Sequence, residues 1–140
     1  MAYSLFIDSD VILDELLARH PFQLQSHALF VAESQGKLTL FTTASIVLNV
    51  QYVAARFVGK ASSKEVIRKM LRYFKICITT SSHLEQGFDS NFLDVEDAVQ
   101  YYSAVDNPEI DFFLSRNIKD YRYADKQLQV ISPSEFLKLM

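Results

Sequence analysis

Three groups of polar residues fall at junctions where buried structure should begin or end. Asp8 directly follows the apolar run Leu5-Phe6-Ile7, and Asp10 stands two places later. Glu96 and Asp97 open an amphipathic stretch. Ser115-Arg116-Asn117, followed by Asp120, closes Phe112-Phe113-Leu114. Packing explains a carboxylate poorly at such a place, which is where α/β proteins put metal or phosphate sites. Carboxylates that converge repel one another. At about 4 Å and an effective dielectric of about 20, each ionised pair costs on the order of 4 kcal/mol. A divalent cation relieves that cost. Oxygen donors without histidine or cysteine partners favour Mg²⁺ or Mn²⁺ over zinc. Such an ion orients a scissile phosphate, activates water and neutralises the departing oxygen.

Each candidate also has a plainer reading. Asp8 is a metal or catalytic ligand, or simply the N-cap of the next helix. Asp10 caps that helix or holds Asp8 in place, while Asp14 and Glu15 are expected on a solvated face. Asp97 and Glu96 gain from the helix dipole whatever else they do. Ser45 and Asn49 are four apart and share a helical face, so Asn49 either faces the site or makes buried hydrogen bonds. Asn117 and Asp120 suit turns as well as a site, and Arg116 and Lys119 are phosphate-contact candidates. His20, His27 and His83 lack metal-ligand spacing. Cys77 reads as core, and Tyr101 and Tyr102 read as part of a packed stripe.

The elements that must position these groups alternate. Strands are expected at Leu5–Ile7, Leu38–Phe41, Lys75–Thr79, Phe112–Leu114 and Leu128–Ile131. Between them lie helices: Val11–Leu17 and Gln25–Ser34, then one capped by Thr43 and ended by Gly59. Another is capped by Ser62-Ser63, a short one spans Ser81–Phe88, and one opens at Asp94 and breaks at Asn107-Pro108. A terminal helix starts at Ser132-Pro133. Strands separated by helices imply an α/β three-layer sandwich, a mainly parallel central sheet of about five strands with helices on both faces. Residues 1–140 read as a single domain.

Composition narrows the setting. Of 140 residues, 49% are apolar and 22% charged, an ordinary globular balance. No apolar run approaches the roughly 20 residues that span a bilayer. No basic segment precedes a long apolar one, so no signal peptide is expected. The lone Cys77 excludes an internal disulfide and fits a reducing compartment, with the cytoplasm as the expected location. The net charge of −3 argues against a generic nucleic-acid-coating protein. Yet Arg56, Lys60, Lys64, Arg68, Lys69, Arg72 and Lys75 cluster against the single acid Glu65. That block either steers a polyanion or is a solvated helix face.

Taken in order, these motifs resemble the PIN-domain family, over essentially the whole chain. Phe6-Ile7-Asp8-Ser9-Asp10-Val11-Ile12-Leu13-Asp14 resembles its opening motif. Asp94-Val95-Glu96-Asp97-Ala98-Val99-Gln100-Tyr101-Tyr102 resembles its central acidic helix start. Ser115 to Tyr121 resembles its strand-end motif, and Ser132 to Leu137 its closing segment. The resemblance implies that Asp8 and Asp97 bind Mg²⁺ or Mn²⁺ and that Ser115 supports the first acid. Asn117 and Asp120 would complete the catalytic set, with Asp10, Asn49 and Glu96 in support and Arg116 and Lys119 on RNA. Asn49 and Asn117 stand where many members carry acids, as in a subgroup with asparagine at both positions. The resemblance implies a metal-dependent endoribonuclease, the toxin of a toxin–antitoxin pair, with RNA as substrate, an antitoxin as partner and a homodimer as assembly. The alternative is a catalytically weakened RNA- or protein-binding module. Asp8-Ser9-Asp10 also allows a haloacid-dehalogenase-type phosphotransferase, with Thr42 or Thr43 supplying a hydroxyl.

Overall fold

The apolar run around Leu5 becomes the central strand, β1 (Tyr3–Ile7), which leads into α1 (Ser9–Leu16) and α2 (Gln23–Ser34). Next come β2 (Leu38–Thr43), α3 (Ala44–Val58) and α4 (Lys60–Met70), and a 3-10 turn, Leu71–Tyr73, enters β3 (Phe74–Cys77). Two helices follow, α5 (Ser81–Asp89) and α6 (Val95–Val105). The chain ends with β4 (Phe112–Leu114), a 3-10 turn at Ile118–Tyr121, β5 (Val130–Ile131) and α7 (Pro133–Leu137). The computed structural model describes residues 2–124 and 127–140.

The five strands form one sheet in the order β3-β2-β1-β4-β5, and every pairing is parallel. Helices cover both faces, so the strands carry nearly continuous apolar sequence rather than alternation. Leu5, Phe6 and Ile7 are all buried. Leu5 lies in register with Leu40 on one side and Phe112 on the other, and Ile7 with Leu114. The rings of Phe6 and Phe113 stack across β1 and β4, 4.7 Å between centroids. Tyr101 from α6 packs on the same Phe113 ring at 5.8 Å. The core thus ties α6 to the two strands whose ends carry Asp8 and Ser115.

The fold class matches the sequence expectation, and the differences lie at element ends. The helix expected to be capped by Ser62-Ser63 begins at Lys60, because Gly59 adopts φ 86 and turns the chain straight from α3 into α4. Ser63 is buried within the helix and its hydroxyl donates to the Lys60 carbonyl. The strand expected at Lys75–Thr79 runs instead from Phe74 to Cys77. Its partner β2 gives way to α3 after Thr43, which is in register with Cys77, so Ile78 and Thr79 have nothing to pair with on that side. The last strand shrinks to Val130–Ile131, paired with Phe113 and Leu114. Asp14 is not on a solvated face. It is 1% exposed, for a reason given below.

Truncating the shared aromatic anchor should show which contacts carry the fold. Phe113→Ala is expected to lower unfolding free energy by about 3–5 kcal/mol. Phe112→Ala, at a half-buried position, should cost distinctly less; urea denaturation of both variants measures the difference.

Candidate functional site

After β1 the chain builds outward through β2 and β3, then returns to place β4 on the opposite side of β1. At such a reversal the connections leave in opposite directions and a crevice opens beyond the carboxyl ends of the two strands. Asp8 is the first residue past β1. Its backbone N–H continues the sheet by donating to the Leu114 carbonyl at 3.0 Å, and its side chain caps α1, Oδ1 accepting from the Ser9 N–H at 2.8 Å. The N-cap reading of Asp8 holds, and the same side chain lies at this crevice.

Asp97 reaches the same crevice from α6. Asp94 caps that helix, Oδ1 accepting the Asp97 N–H at 3.1 Å, which places Asp97 in the first turn, half-buried. Between the two acids stands Tyr121, from the 3-10 turn after β4. Its hydroxyl donates to Asp8 Oδ2 at 2.7 Å and lies 3.4 Å from Asp97 Oδ1. Rings of Phe113 (4.8 Å) and Phe92 (5.9 Å) hold the phenol in place. Sequence reasoning quoted Tyr121 as part of a motif but gave it no role. A phenol four residues after Asn117 was the available signal.

Asp10 belongs to the same edge. Its Oδ2 accepts the Arg116 N–H at 3.0 Å and the Ser115 hydroxyl at 3.4 Å, and Ser115 Oγ in turn accepts the Asn117 N–H at 3.1 Å. Asp10 Oδ1 is buried with no hydrogen-bond partner among the described residues. Ser115 is buried and its hydroxyl also favours the charged form of Asp8. The Arg116 side chain faces the other way: Nε and Nη2 clasp Asp14 at 2.5 and 3.1 Å, and the guanidinium sits 3.9 Å over the Phe22 ring. Arg19 Nε gives Asp14 another bond at 2.8 Å. Two guanidinium groups compensate the burial of the Asp14 side chain.

Burial dominates the electrostatics. It raises the Asp8 carboxyl above the usual range despite the bonds from Tyr121, Ser9 and Ser115. Burial and the charge of Asp8 push Asp97 up to about 7 and Asp10 up to about 6. Burial among these carboxylates also raises the Tyr121 hydroxyl well above its ordinary value, so it stays a donor. Asp120 is exposed, yet its charge adds to the rise at Asp8 and Asp97.

The remaining candidates do not share one groove. Asn49 is half-buried on α3 and lines, with Ser45, Leu48, Ile78, Glu96 and Gln100, a groove of ≈880 Å³ between α3, α5 and α6. Glu96 is exposed at its mouth, and Asn117 and Lys119 are exposed on the turn after β4. Gln100 was missed from sequence. It is buried three residues after Asp97, accepts the Thr43 hydroxyl and donates to Ser45, both at 2.5 Å. A lone amide on an apolar stripe was the signal. Thr43, one of the two hydroxyls the phosphotransferase reading offered, serves this network and the N-cap of α3, and Thr42, the other, donates to the Ile7 carbonyl.

The chain matches the family model described as PIN domain over residues 4–119. It belongs to the PIN-domain family. Among curated proteins this PIN domain is similar to Ribonuclease VapC1 of Aquifex aeolicus strain VF5, with 29% identity over 107 residues, 71% of this chain and 72% of that one. Its fold is similar to a crystal structure of VapBC2 from Rickettsia felis bound to a promoter DNA fragment. That match has a TM-score of 0.69 and 12% identity over 92% of this chain and 98% of the other. A toxin–antitoxin complex from Klebsiella pneumoniae gives a TM-score of 0.64 and 15% identity, over 92% and 97% of the two chains.

How well the acids of this PIN domain suit a divalent cation depends on the donors present. Asp8 and Asp97 converge on one hydroxyl, but among the described residues no group of three or more histidine, cysteine, aspartate or glutamate side chains could hold a metal ion. Mg²⁺ tolerates so few protein ligands when waters and substrate phosphate fill its other positions. The set fits a weakly held ion.

Two outcomes follow from this geometry. In the folded state Asp97 and Asp10 keep their protons to higher pH than the unfolded value of 3.8. Their contribution therefore favours folding at low pH and is lost as pH rises from about 4 to about 7. Without added metal, the melting temperature should fall between pH 5 and pH 8. Asp97→Asn should flatten that fall. Tyr121→Phe removes a donor from a buried carboxylate and should cost about 1–3 kcal/mol in urea unfolding at pH 7.

Proposed function

We propose that this PIN domain acts as an RNA- and protein-binding module with a weakened acidic centre, the toxin-type partner of an antitoxin protein. One observation carries the reading: Asp8 and Asp97 are bridged by the Tyr121 hydroxyl rather than joined by a third acid, and Asn49 and Asn117 add no charge. The names of the relatives support the setting, since one is a ribonuclease and another is a toxin–antitoxin complex. A protein partner is supported by the groove beside the site, where Leu48, Ile78 and Phe88 are 69%, 78% and 71% exposed. A second copy of the chain, giving a homodimer, is one partner such an apolar rim suits. No described helix is long and apolar enough to cross a membrane, and the cytoplasm is the location proposed. Lys119 is free to meet a phosphate near the acids, whereas Arg116 is committed to Asp14.

The convergence of Asp8 and Asp97 favours a second reading, a Mg²⁺- or Mn²⁺-dependent endoribonuclease. In it, Asp8 and Asp97 would hold the ion, which when bound supplies an activated water and neutralises the departing oxygen. Asn117 and Asp120 would complete the polar rim, Asp10 and Ser115 would fix the strand ends, and Asn49 and Glu96 would line the approach.

Calorimetric Mn²⁺ titration, run beside cleavage of single-stranded RNA, separates the two. The weakened module should bind Mn²⁺ no tighter than about 1 mM and show no metal-dependent cleavage. Tighter binding and cleavage, both abolished by Asp8→Asn and Asp97→Asn in variants that still fold, would establish the nuclease and overturn the first reading.

A further inference from the structure

The cationic block of the sequence becomes a defined row. Residues 56–75 carry seven cations and one acid, a charge of +6, whereas the rest of the chain carries −9. Gly59 separates Arg56 on α3 from the others. Lys60, Lys64, Arg68 and Arg72 then follow at intervals of four along α4 and the 3-10 turn, and all are exposed. An i, i+4 series forms one ridge slightly inclined to the helix axis, with about 6 Å of rise per step. The opposite face packs inward through Ser63, Ile67 and Met70.

The acid in the block does not neutralise the ridge. Glu65 pairs with Lys69, outside the row, at 3.5 Å. Among the described residues no ion pair engages Lys60, Lys64, Arg68 or Arg72. Four like charges along one line repel, and the protein holds them unmatched although it has an excess of acids elsewhere. Most of its exposed neighbours, Ala61, Ser62, Glu65 and Lys69, are small or charged, and the apolar Val66 and Leu71 are each 42% exposed. A linear polyanion with regularly spaced charge fits such a row of cations. The location suits an extended ligand, because α3 packs against α4 and presents Asn49 to a groove that Glu96, the neighbour of Asp97 on α6, also lines.

We propose that the Lys60–Lys64–Arg68–Arg72 ridge is an RNA-backbone track, binding phosphates of single-stranded RNA whose length runs across α3 towards the Asp8–Asp97 edge. The inference rests on the RNA-binding reading above and assigns its surface. Contacts of this kind carry no base preference and release counterions, so salt dependence is their signature.

The test is fluorescence anisotropy of labelled single-stranded RNA in EDTA, from about 50 to 200 mM salt, with wild type and the Lys60→Gln/Lys64→Gln/Arg68→Gln/Arg72→Gln variant. Exposed substitutions should leave the far-UV spectrum and melting transition intact. The log–log salt slope should become shallower by about 3, since each single-strand contact contributes about 0.7. Low-salt affinity should fall at least tenfold. An unchanged slope and affinity would overturn the track. Unchanged RNA binding with lost binding of poly-glutamate would assign the ridge to an acidic protein partner, which also overturns it. Loss of RNA binding in neither the ridge variant nor Asp8→Asn sinks the track alone. No RNA binding by wild type would instead sink the reading it rests on.

Discussion

Asp8 and Asp97 repel each other across a single hydroxyl, and much of the surrounding structure serves to hold them there. Asp8 cannot withdraw, because its backbone is still part of the sheet and its side chain caps α1. Asp97 cannot withdraw because α6 is packed through Tyr101 onto Phe113. The phenol of Tyr121 enters from β4's side, wedged by Phe113 and Phe92, donates to Asp8 and lies 3.4 Å from Asp97. One aromatic, Phe113, therefore touches the stacking partner under β1, the helix of the second acid and the ring of the bridging phenol. Core and site share their supports.

Around that edge the charges are sorted rather than mixed. Asp10 and Asp14 lie one helical turn apart on α1 and meet different faces of Arg116: its backbone N–H holds Asp10 and its guanidinium holds Asp14. The clasp fixes the loop after β4, so Ser115 and Asn117 keep their places beside the acids. Arg116 is thereby a poor phosphate contact and a good anchor. A row of cations without ion pairs stands elsewhere, on α4 and the 3-10 turn that follows it. Negative centre and positive ridge occupy separate regions, which limits mutual neutralisation and leaves a field that can orient an approaching chain.

A groove runs between α3, α5 and α6. Gln100 and Ser45 fix its floor through paired hydrogen bonds, and apolar side chains form its rim. A buried amide satisfied on both sides rigidifies the contact between α6 and the start of α3. Asn49 thus looks onto an ordered surface. Asn49 and Asn117 are neutral, so neither adds to the negative charge of this edge.

Much of the molecule was legible from the residues. Apolar runs separated by capped helices fixed a parallel α/β sheet, since only strands buried on both faces read so uniformly. Asp8 announced itself because a carboxylate ending Leu5-Phe6-Ile7 has no packing role. Three things waited for the fold. Local periodicity put Asp14 outside; Arg19 nearby and Arg116 of the β4 loop, more than a hundred residues later, supply the two guanidinium groups that let it be buried. Tyr121 and Gln100 looked like ordinary polar residues until the sheet brought their partners to them. Side-chain type and spacing determine which elements form and which groups are anomalous, whereas pairing between distant segments is set by strand order and packing. The sequence by itself determined the architecture and the acids at its edge; the tertiary structure decided that a phenol, and not another carboxylate, stands between them.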